Sequence, residues 1–130
     1  MRQERLTRLR DLIVDDSEAL RSIMCRALSS SQGIEVIGSA CNGSEAVEKV
    51  DETLPDVVVM DIDMPIMDGL EATRRIKRAH PGIVVVLVSG STNLLNASVS
   101  AGADGYLTKP FSADSLISRV KGDLEITDTP

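Results

Sequence analysis

Six polar residues follow short apolar runs of the sequence, and together they could bind a metal ion and a phosphoryl group. They are Asp15, Asp16, Asp61, Asp63, Ser89 and Lys109. Clustered carboxylates repel one another unless a cation joins them. An oxygen-only ligand set suits Mg²⁺ or Mn²⁺, and Mg²⁺ keeps waters or takes up phosphate oxygens. The lysine ammonium and the serine hydroxyl would be two further donors for an anion.

Among these residues Asp61 is placed best to react. Phosphoryl transfer needs mainly positioning and neutralisation of charge, and a carboxylate nucleophile gives an acyl phosphate. Asp61 directly follows "DVVVM", which is the apolar run expected to form the central strand. The donors that follow the neighbouring strands would then surround it.

Five segments predict the strands that position these residues. The runs at 12–14, 57–60 and 83–88 are unbroken and apolar, as in strands of a parallel sheet that are buried on both faces. The segment 34–38 alternates between polar and apolar residues, and 105–108 is very short. We expect these last two to be edge strands.

Helix signals lie between the predicted strands. Ser17 precedes apolar residues at helical spacing, which predict this inward face: Leu20, Ile23, Met24, Ala27 and Leu28. Asn42 with Glu45 three residues later is typical of a helix start. A third helix begins at Asp68 or Gly69 and stops at Pro81-Gly82. Ser112 begins a last helix with Leu116, Ile117, Val120 and Leu124 inward, and the weak helix formers of 91–101 predict a short, mobile helix.

Strands and helices thus alternate five times along the chain. The pattern predicts an α/β fold with a five-stranded parallel sheet in the order 2-1-3-4-5, flanked by five helices on both faces. In such sheets functional groups collect at the carboxyl ends of the strands, where the chain order reverses. This is where the six polar residues fall.

Four motifs resemble those of the response-regulator receiver domain of two-component signalling. They are "LIVDDS", "VVVMDIDMPIMDGLEA", "VLVSGS" and "GADGYLTKPF", in the order and spacing of that family. The resemblance covers about residues 9–124 and implies a flavodoxin-like, doubly wound receiver fold. We therefore expect an N-terminal extension at 1–8, a receiver domain at 9–124 and a C-terminal tail at 125–130.

The resemblance assigns a role to each acidic residue. Asp61 is similar to the phospho-acceptor, Asp16 to the carboxylate that binds the metal directly, and Asp15 to the neighbour that acts through water. Asp63 occupies the position that offers its backbone carbonyl to the metal, and its side chain tunes the lifetime of the acyl phosphate. Asp68 is expected only to cap a helix.

The resemblance also implies a switch. Lys109 is similar to the lysine that pairs with the phosphoryl group, in a bond to Pro110 that is usually cis. Ser89 resembles the switch hydroxyl, Tyr106 the aromatic residue that follows it inward, and Gly90 the small residue that leaves the acceptor accessible.

The implied function is a phospho-accepting receiver. A sensor histidine kinase or a histidine phosphotransfer protein would donate the phosphoryl group in the presence of Mg²⁺, or of Mn²⁺. The face formed by 91–121 would then shift and act on a partner, an output domain or, as a homodimer, a second copy. Such a domain is not an enzyme beyond its own phosphorylation and dephosphorylation. The resemblance leaves open a stand-alone receiver or one excised from a transcription regulator.

Composition excludes several other functions. The net charge of −6 argues against direct binding of nucleic acid or anionic membranes. Cys25 and Cys41 are too far apart for a CxxC motif, so we expect free thiols in a reducing cytoplasm. The N-terminus lacks a signal-peptide core, and the run at 83–88 is too short to span a membrane.

Each candidate residue also has a purely structural interpretation. Asp15 and Asp16 could cap a helix, Ser89 could lie in an ordinary loop, Lys109 could be a solvated surface residue, and Tyr106 could simply pack on a helix. The functional interpretation is favoured only because the residues that follow four different strands all suit the same chemistry.

Two other functions compete with the receiver. In a haloacid-dehalogenase-type phosphatase "DID" would be the nucleophile motif, but its late acidic motif would have to follow, whereas Asp15 and Asp16 precede it. Residue 65 is also Pro where that family has Thr or Val, and no cap domain fits. The second alternative is a receiver-shaped scaffold that works without phosphorylation, although such scaffolds commonly lose an acidic residue or the lysine.

Overall fold

The computed structural model describes residues 8–122, in which five strands and five α-helices alternate. The strands are β1 Leu9–Val14, β2 Ile34–Ala40, β3 Val57–Asp61, β4 Val84–Ser89 and β5 Gly105–Thr108. The helices are α1 Glu18–Ser29, α2 Gly43–Thr53, α3 Gly69–Ala79, α4 Leu95–Ala101 and α5 Ala113–Val120. A short 3₁₀ turn, Thr92–Leu94, precedes α4, so the short helix expected within 91–101 is present.

The strands form one parallel sheet in the order β2-β1-β3-β4-β5, which confirms the predicted topology. β2 and β5 are the edges, as expected. The pairing of β1 with β2 shifts between Asp11 and Leu12, because Ile37 is an extra residue in β2. This bulge interrupts the ladder halfway along β1.

The core lies on both faces of the sheet and is largely aliphatic. Side chains alternate along each strand, so Val57 and Val59 of β3 pack in the layer that includes α1 and α5. Val58 and Met60 pack in the layer of α2 and α3. Every residue of β3 is buried, which fixes the position of its last residue, Asp61.

The predicted helix starts are confirmed by their caps. The side chains of Ser17, Asn42, Asp68 and Ser112 each accept a hydrogen bond from a backbone N–H in the first turn of the helix that follows. Each such cap contributes about 1 kcal/mol to stability. Since α1 and α3 follow strands that end at the site, their caps also fix the adjoining loops.

One prediction about packing is wrong. Ile23 was placed on the inward face of α1, but 62% of its surface is exposed. The buried stripe of α1 centres instead on Met24 and Leu28, with Leu20 and Cys25 partly buried. Ile23 lies outside this stripe because 3.6 residues per turn carry it toward solvent.

The chain ends carry predictions that lie outside the described residues. These predictions concern Leu124, the tail at 125–130 and all but the last residue of the extension at 1–8. The proposed domain boundaries stay a prediction. In the described part of the chain, no helix combines the length and the apolar character needed to cross a membrane.

Candidate functional site

Three carboxylates converge at the carboxyl end of the sheet. Asp61 is the last residue of β3, and Asp15 and Asp16 follow β1 directly. One oxygen of each lies within 4.8 Å of one oxygen of each of the others. Asp15 and Asp61 are buried, whereas Asp16 is exposed. The pocket is therefore reached by solvent from the side of Asp16.

An ammonium group faces this cluster. The Nζ atom of Lys109, in the segment after β5, lies 3.3 Å from Oδ1 of Asp61 and 3.9 Å from Oδ2 of Asp15. The Lys109-Pro110 peptide bond is cis, as the resemblance to receiver domains implied. The lysine thus lies within reach of an anion that is bound at either carboxylate.

The pKa values of two carboxyls in the pocket are raised. Burial raises the pKa of the Asp61 carboxyl to about 6, and the charge of Lys109 opposes this rise only in part. Burial also raises the pKa of Asp15, against the hydrogen bond from the backbone of Ser17. Oδ2 of Asp15 and Oδ1 of Asp61 are buried and accept no hydrogen bond from the described part of the chain. Both oxygens lie within 4 Å of the Lys109 ammonium, and buried oxygens on converging carboxylates that accept no hydrogen bond fit a divalent cation.

Local structure holds Asp15 in place. The N–H of Ser17 donates to its Oδ1 at 2.8 Å, and Nη1 of Arg21 donates to its backbone carbonyl at 2.8 Å. Arg21 was not among the residues predicted from the sequence. Its position one turn into α1 gives it access to the end of β1, but no short motif marks this contact.

The loop between β3 and α3 fixes Asp61 from behind. A Cβ atom at Gly69 would collide with the carbonyl oxygen of Asp61, so the close approach of α3 to β3 requires glycine here. The N–H of Gly69 donates to the carbonyl of Ile62 at 2.9 Å. Gly69 was predicted only as part of a helix start, and it also positions the end of β3 at Asp61.

Ser89 and Tyr106 are linked through the segment that follows β4. The Ser89 side chain is fully buried, and its Oγ accepts a hydrogen bond from the N–H of Ser91 at 3.1 Å. The Tyr106 hydroxyl donates to the carbonyl of Ser91. The N–H of Lys109 donates to the carbonyl of Ser89 at 2.8 Å. The two predicted switch residues and the lysine therefore share one hydrogen-bonded segment.

Two predicted residues lie at the rim of the pocket. The carboxylate of Asp63 is exposed and is not one of the three that converge, although its charge contributes to the raised pKa of Asp61. Its backbone role in metal binding stays a prediction. Gly90 is exposed with open space where a Cβ atom would lie, and its role beside the phospho-acceptor stays a prediction.

A third buried carboxyl, Asp11, lies away from this site and was missed in the sequence. It is fully buried within β1, and neither of its oxygens has a hydrogen-bond partner in the described chain. Burial raises its pKa well above the ordinary value. The alternation Leu9, Asp11, Ile13 was the available signal, because it places Asp11 on the same buried face as Ile13.

Comparisons with known proteins agree with this geometry. The sequence model of the response regulator receiver domain matches residues 12–121. The chemotaxis protein CheY of Halobacterium salinarum is 42% identical over 111 residues, which are 84% of this chain and 91% of that protein. The response regulator GacA of Pseudomonas viridiflava is 40% identical over 119 residues, or 87% of this chain, which spans about half (54%) of that relative's length.

A solved structure is similar over nearly the whole fold. A chain of the CheX-CheY-BeF₃-Mg²⁺ complex from Borrelia burgdorferi superposes with a TM-score of 0.81 at 28% identity, covering 93% of this chain and 90% of the other. Sequence, topology and the placement of the acidic pocket thus lead to one assignment: the chain belongs to the response regulator receiver domain family of two-component signalling.

Proposed function

We propose that Asp61 accepts a phosphoryl group from a phosphohistidine and that the resulting acyl phosphate switches the 91–121 face. The observation that carries this proposal is the buried Asp61 carboxylate, which ends the central strand with Lys109 at 3.3 Å and the Asp15 and Asp16 carboxylates beside it. A nucleophile, a cation and a metal-binding set are therefore collected at one solvent-accessible pocket.

The transfer uses the groups of this chain in defined roles. An oxygen of Asp61 attacks phosphorus in line, the P–N bond breaks, and its electron pair returns to the imidazole of the donor. Lys109 neutralises charge on the phosphoryl oxygens. Asp15, Asp16, Asp61 and the backbone carbonyl of Asp63 would hold Mg²⁺, or Mn²⁺, which when bound would neutralise charge on the phosphoryl oxygens. The BeF₃ and Mg²⁺ named for the Borrelia burgdorferi complex support this choice of ion.

The switch would follow from the new charge. A phosphorylated side chain carries about −1.5 to −2 charges at neutral pH and attracts donors. The Ser89 hydroxyl would leave Ser91 N–H and move toward the phosphoryl group with Lys109. Tyr106, hydrogen-bonded to the carbonyl of Ser91, would then turn inward. The 91–121 face would shift between two populated arrangements that a partner distinguishes.

The partners proposed are a sensor histidine kinase or a histidine phosphotransfer protein in the cytoplasm. The protein would catalyse only its own phosphorylation and dephosphorylation. Output by transcription regulation, as a domain of a longer regulator, is supported by the similarity to GacA, of which this chain matches about half.

The test is chemical phosphorylation. Incubation with acetyl phosphate and Mg²⁺ is expected to add about 80 Da, the mass of one phosphoryl group, to the intact protein. Chelation of the metal should abolish the gain, since Asp15, Asp16 and Asp61 repel a phosphoryl group without it. A gain of mass that survives chelation would show that the acidic pocket is not a metal site.

The same preparation separates the receiver from its alternatives. A haloacid-dehalogenase-type phosphatase would turn over a generic phosphomonoester such as p-nitrophenyl phosphate, and a receiver is expected not to. A scaffold that works without phosphorylation would gain no mass at all. Either outcome would contradict the proposed function.

A further inference from the structure

Helices α2 and α3 carry exposed charge stripes of opposite sign. The exposed charges of α2 are Glu48, Asp51 and Glu52, and those of α3 are Arg74, Arg75 and Arg78. Four acidic residues and one lysine give α2 a net charge of −3, whereas four basic residues and one glutamate give α3 a net charge of +3. The two helices pack beside each other on the same face of the sheet.

The two helices are also in register. At their amino ends the N–H of Gly43 donates to the carbonyl of Met67 at 2.9 Å, just before α3 begins. At their carboxyl ends Nε2 of His80 lies 2.8 Å from Oδ1 of Asp51. Each helix has 11 residues. The stripes therefore run parallel, side by side and over the same length.

Most of these charges are not neutralised across the helix pair. Arg74 and Arg75 form ion pairs with Glu71 of their own helix. In the described residues, Glu48, Glu52 and Arg78 take part in no ion pair within 4 Å. The face thus exposes unpaired acid on one helix and unpaired base on the other.

We propose that this face, the α2–α3 face, binds a second copy of the chain about a twofold axis that runs parallel to both helices. Rotation about that axis lays α2 of each copy on α3 of the other, so the same contact forms twice. Glu48 and Arg74 are both the sixth residue of their helix, and Glu52 and Arg78 are both the tenth. The rotation therefore brings each acid opposite a base at the same level.

The charge pattern also selects this axis. An alternative twofold axis could lie in the plane between the two copies but run perpendicular to the helices. It would place α2 on α2 and α3 on α3, so that like charges would face each other. A partner with one uniform charge would be attracted by one helix and repelled by the other. A second copy of the chain matches both stripes at once.

The association is expected to be weak and salt-sensitive. Eleven residues of helix span about 16 Å, and with helices about 10 Å apart the face offers roughly 300 Å² per copy, against about 800 Å² in a typical stable complex. Exposed charge pairs are screened by salt. The dimer would therefore form at high protein concentration and low ionic strength.

Charge reversal tests the proposal. One variant carries Glu48→Lys with Glu52→Lys, and the other Arg74→Glu with Arg78→Glu; circular dichroism checks that both fold. Sedimentation equilibrium of wild type at low salt is expected to show a monomer–dimer equilibrium that weakens about tenfold or more in 0.5 M salt. Each variant alone should be monomeric. Their equimolar mixture should regain wild-type association, because both contacts are again between opposite charges.

Every alternative result overturns the proposal. A wild type that stays monomeric over the whole concentration series, a single variant that dimerises like wild type, or a mixture that stays monomeric would each do so. The control Val99→Ser changes an exposed apolar residue of the 91–121 face and should leave association unchanged. Loss of association in this control would move the interface to that face.

Discussion

Asp61 and Asp11 are buried carboxyls on the neighbouring strands β3 and β1, and they differ in the charged groups around them. Both are nearly inaccessible, with 4% and 0% of their surface exposed, and burial raises the pKa of both. Asp61 has an ammonium at 3.3 Å and two further carboxylates close by. For Asp11, burial alone raises the pKa, and no charge within residues 8–122 opposes this effect.

Their positions in the sheet explain the difference. Asp61 ends β3, where the chain leaves the sheet and the loops supply other polar groups. Asp11 lies in the middle of β1, paired with Val36 on one side and Val57 on the other. A perturbed carboxyl is therefore a candidate site only where the backbone also brings partners and a path for the ligand.

The largest expected effect is on phosphorylation, which should require the Asp61 carboxyl but not the Asp11 carboxyl. Asp61→Asn should abolish phosphorylation by acetyl phosphate, because an amide cannot form the acyl phosphate. Asp11→Asn, a matched change in the other carboxyl, should leave the rate of labelling unchanged. Intact-mass spectrometry over a time course measures both. Labelling of Asp61→Asn at the wild-type rate would refute the role given to this residue.

Lys109 gives the next effect. Lys109→Met removes the ammonium that faces Asp61 and should slow phosphorylation by about 100-fold, as expected for loss of one preorganised donor. Lys121→Met, which removes an exposed lysine at the end of α5, is the control and should not change the rate. Equal rates in the two variants would mean that Lys109 takes no part in the transfer.

Asp11 should affect stability rather than phosphorylation. Asp11→Val replaces an unpartnered buried carboxyl with an apolar side chain of similar size, so the free energy of unfolding should rise by about 2 kcal/mol at pH 7. Urea unfolding measures this difference. Asp11→Asn keeps a buried polar group that cannot ionise. Comparing it with Asp11→Val separates the effect of the charge on the free energy of unfolding from the effect of burying a polar group.

The gain from Asp11→Val should depend on pH. Because the folded-state pKa of Asp11 is raised, the unfolded chain releases this proton first as the pH increases. The free energy of unfolding of the wild type therefore falls as the pH rises above the unfolded-state pKa of about 4. It stops falling once the pH exceeds the folded-state pKa of Asp11. The variant lacks this loss, so its advantage should be smaller at pH 3.5 than at pH 7. An advantage that grows toward low pH would contradict the account.

The smallest effect is a shift in titration. In metal-free protein, the Asp61 carboxyl followed by carbon-detected NMR should titrate with a midpoint near 6. The midpoint should rise further in Lys109→Met, since the lysine charge is what opposes the effect of burial. A midpoint that stays unchanged would mean that the ammonium does not face the carboxylate in solution.

Most of the fold and the members of the site followed from patterns in the sequence. Unbroken apolar runs marked the three central strands, and polar residues directly after them marked the pocket. The contributions of Arg21 and Gly69 required the structure, because a hydrogen bond to a backbone carbonyl and a tight helix–strand contact leave no short motif.

Asp11 and Ile23 show where pattern reasoning fails. Asp11 follows the charged stretch "RLTRLR" and was treated as lying before the strand, although β1 already begins at Leu9. Ile23 was assigned to the inward face because its spacing from Leu20 and Ala27 is helical, although the buried stripe of α1 runs beside it. In both cases three-dimensional packing, rather than the residue type, decided which side chain is buried.

The most direct test of the central claim locates the phosphoryl group. Borohydride reduces an aspartyl phosphate to homoserine, so treatment of the Mg²⁺- and acetyl phosphate-labelled protein followed by peptide mass mapping identifies the residue that reacted. We expect homoserine at position 61 and unmodified aspartate at positions 11, 15, 16 and 63. Homoserine at any of these four positions, with aspartate intact at 61, would contradict the assignment of Asp61 as the phospho-acceptor.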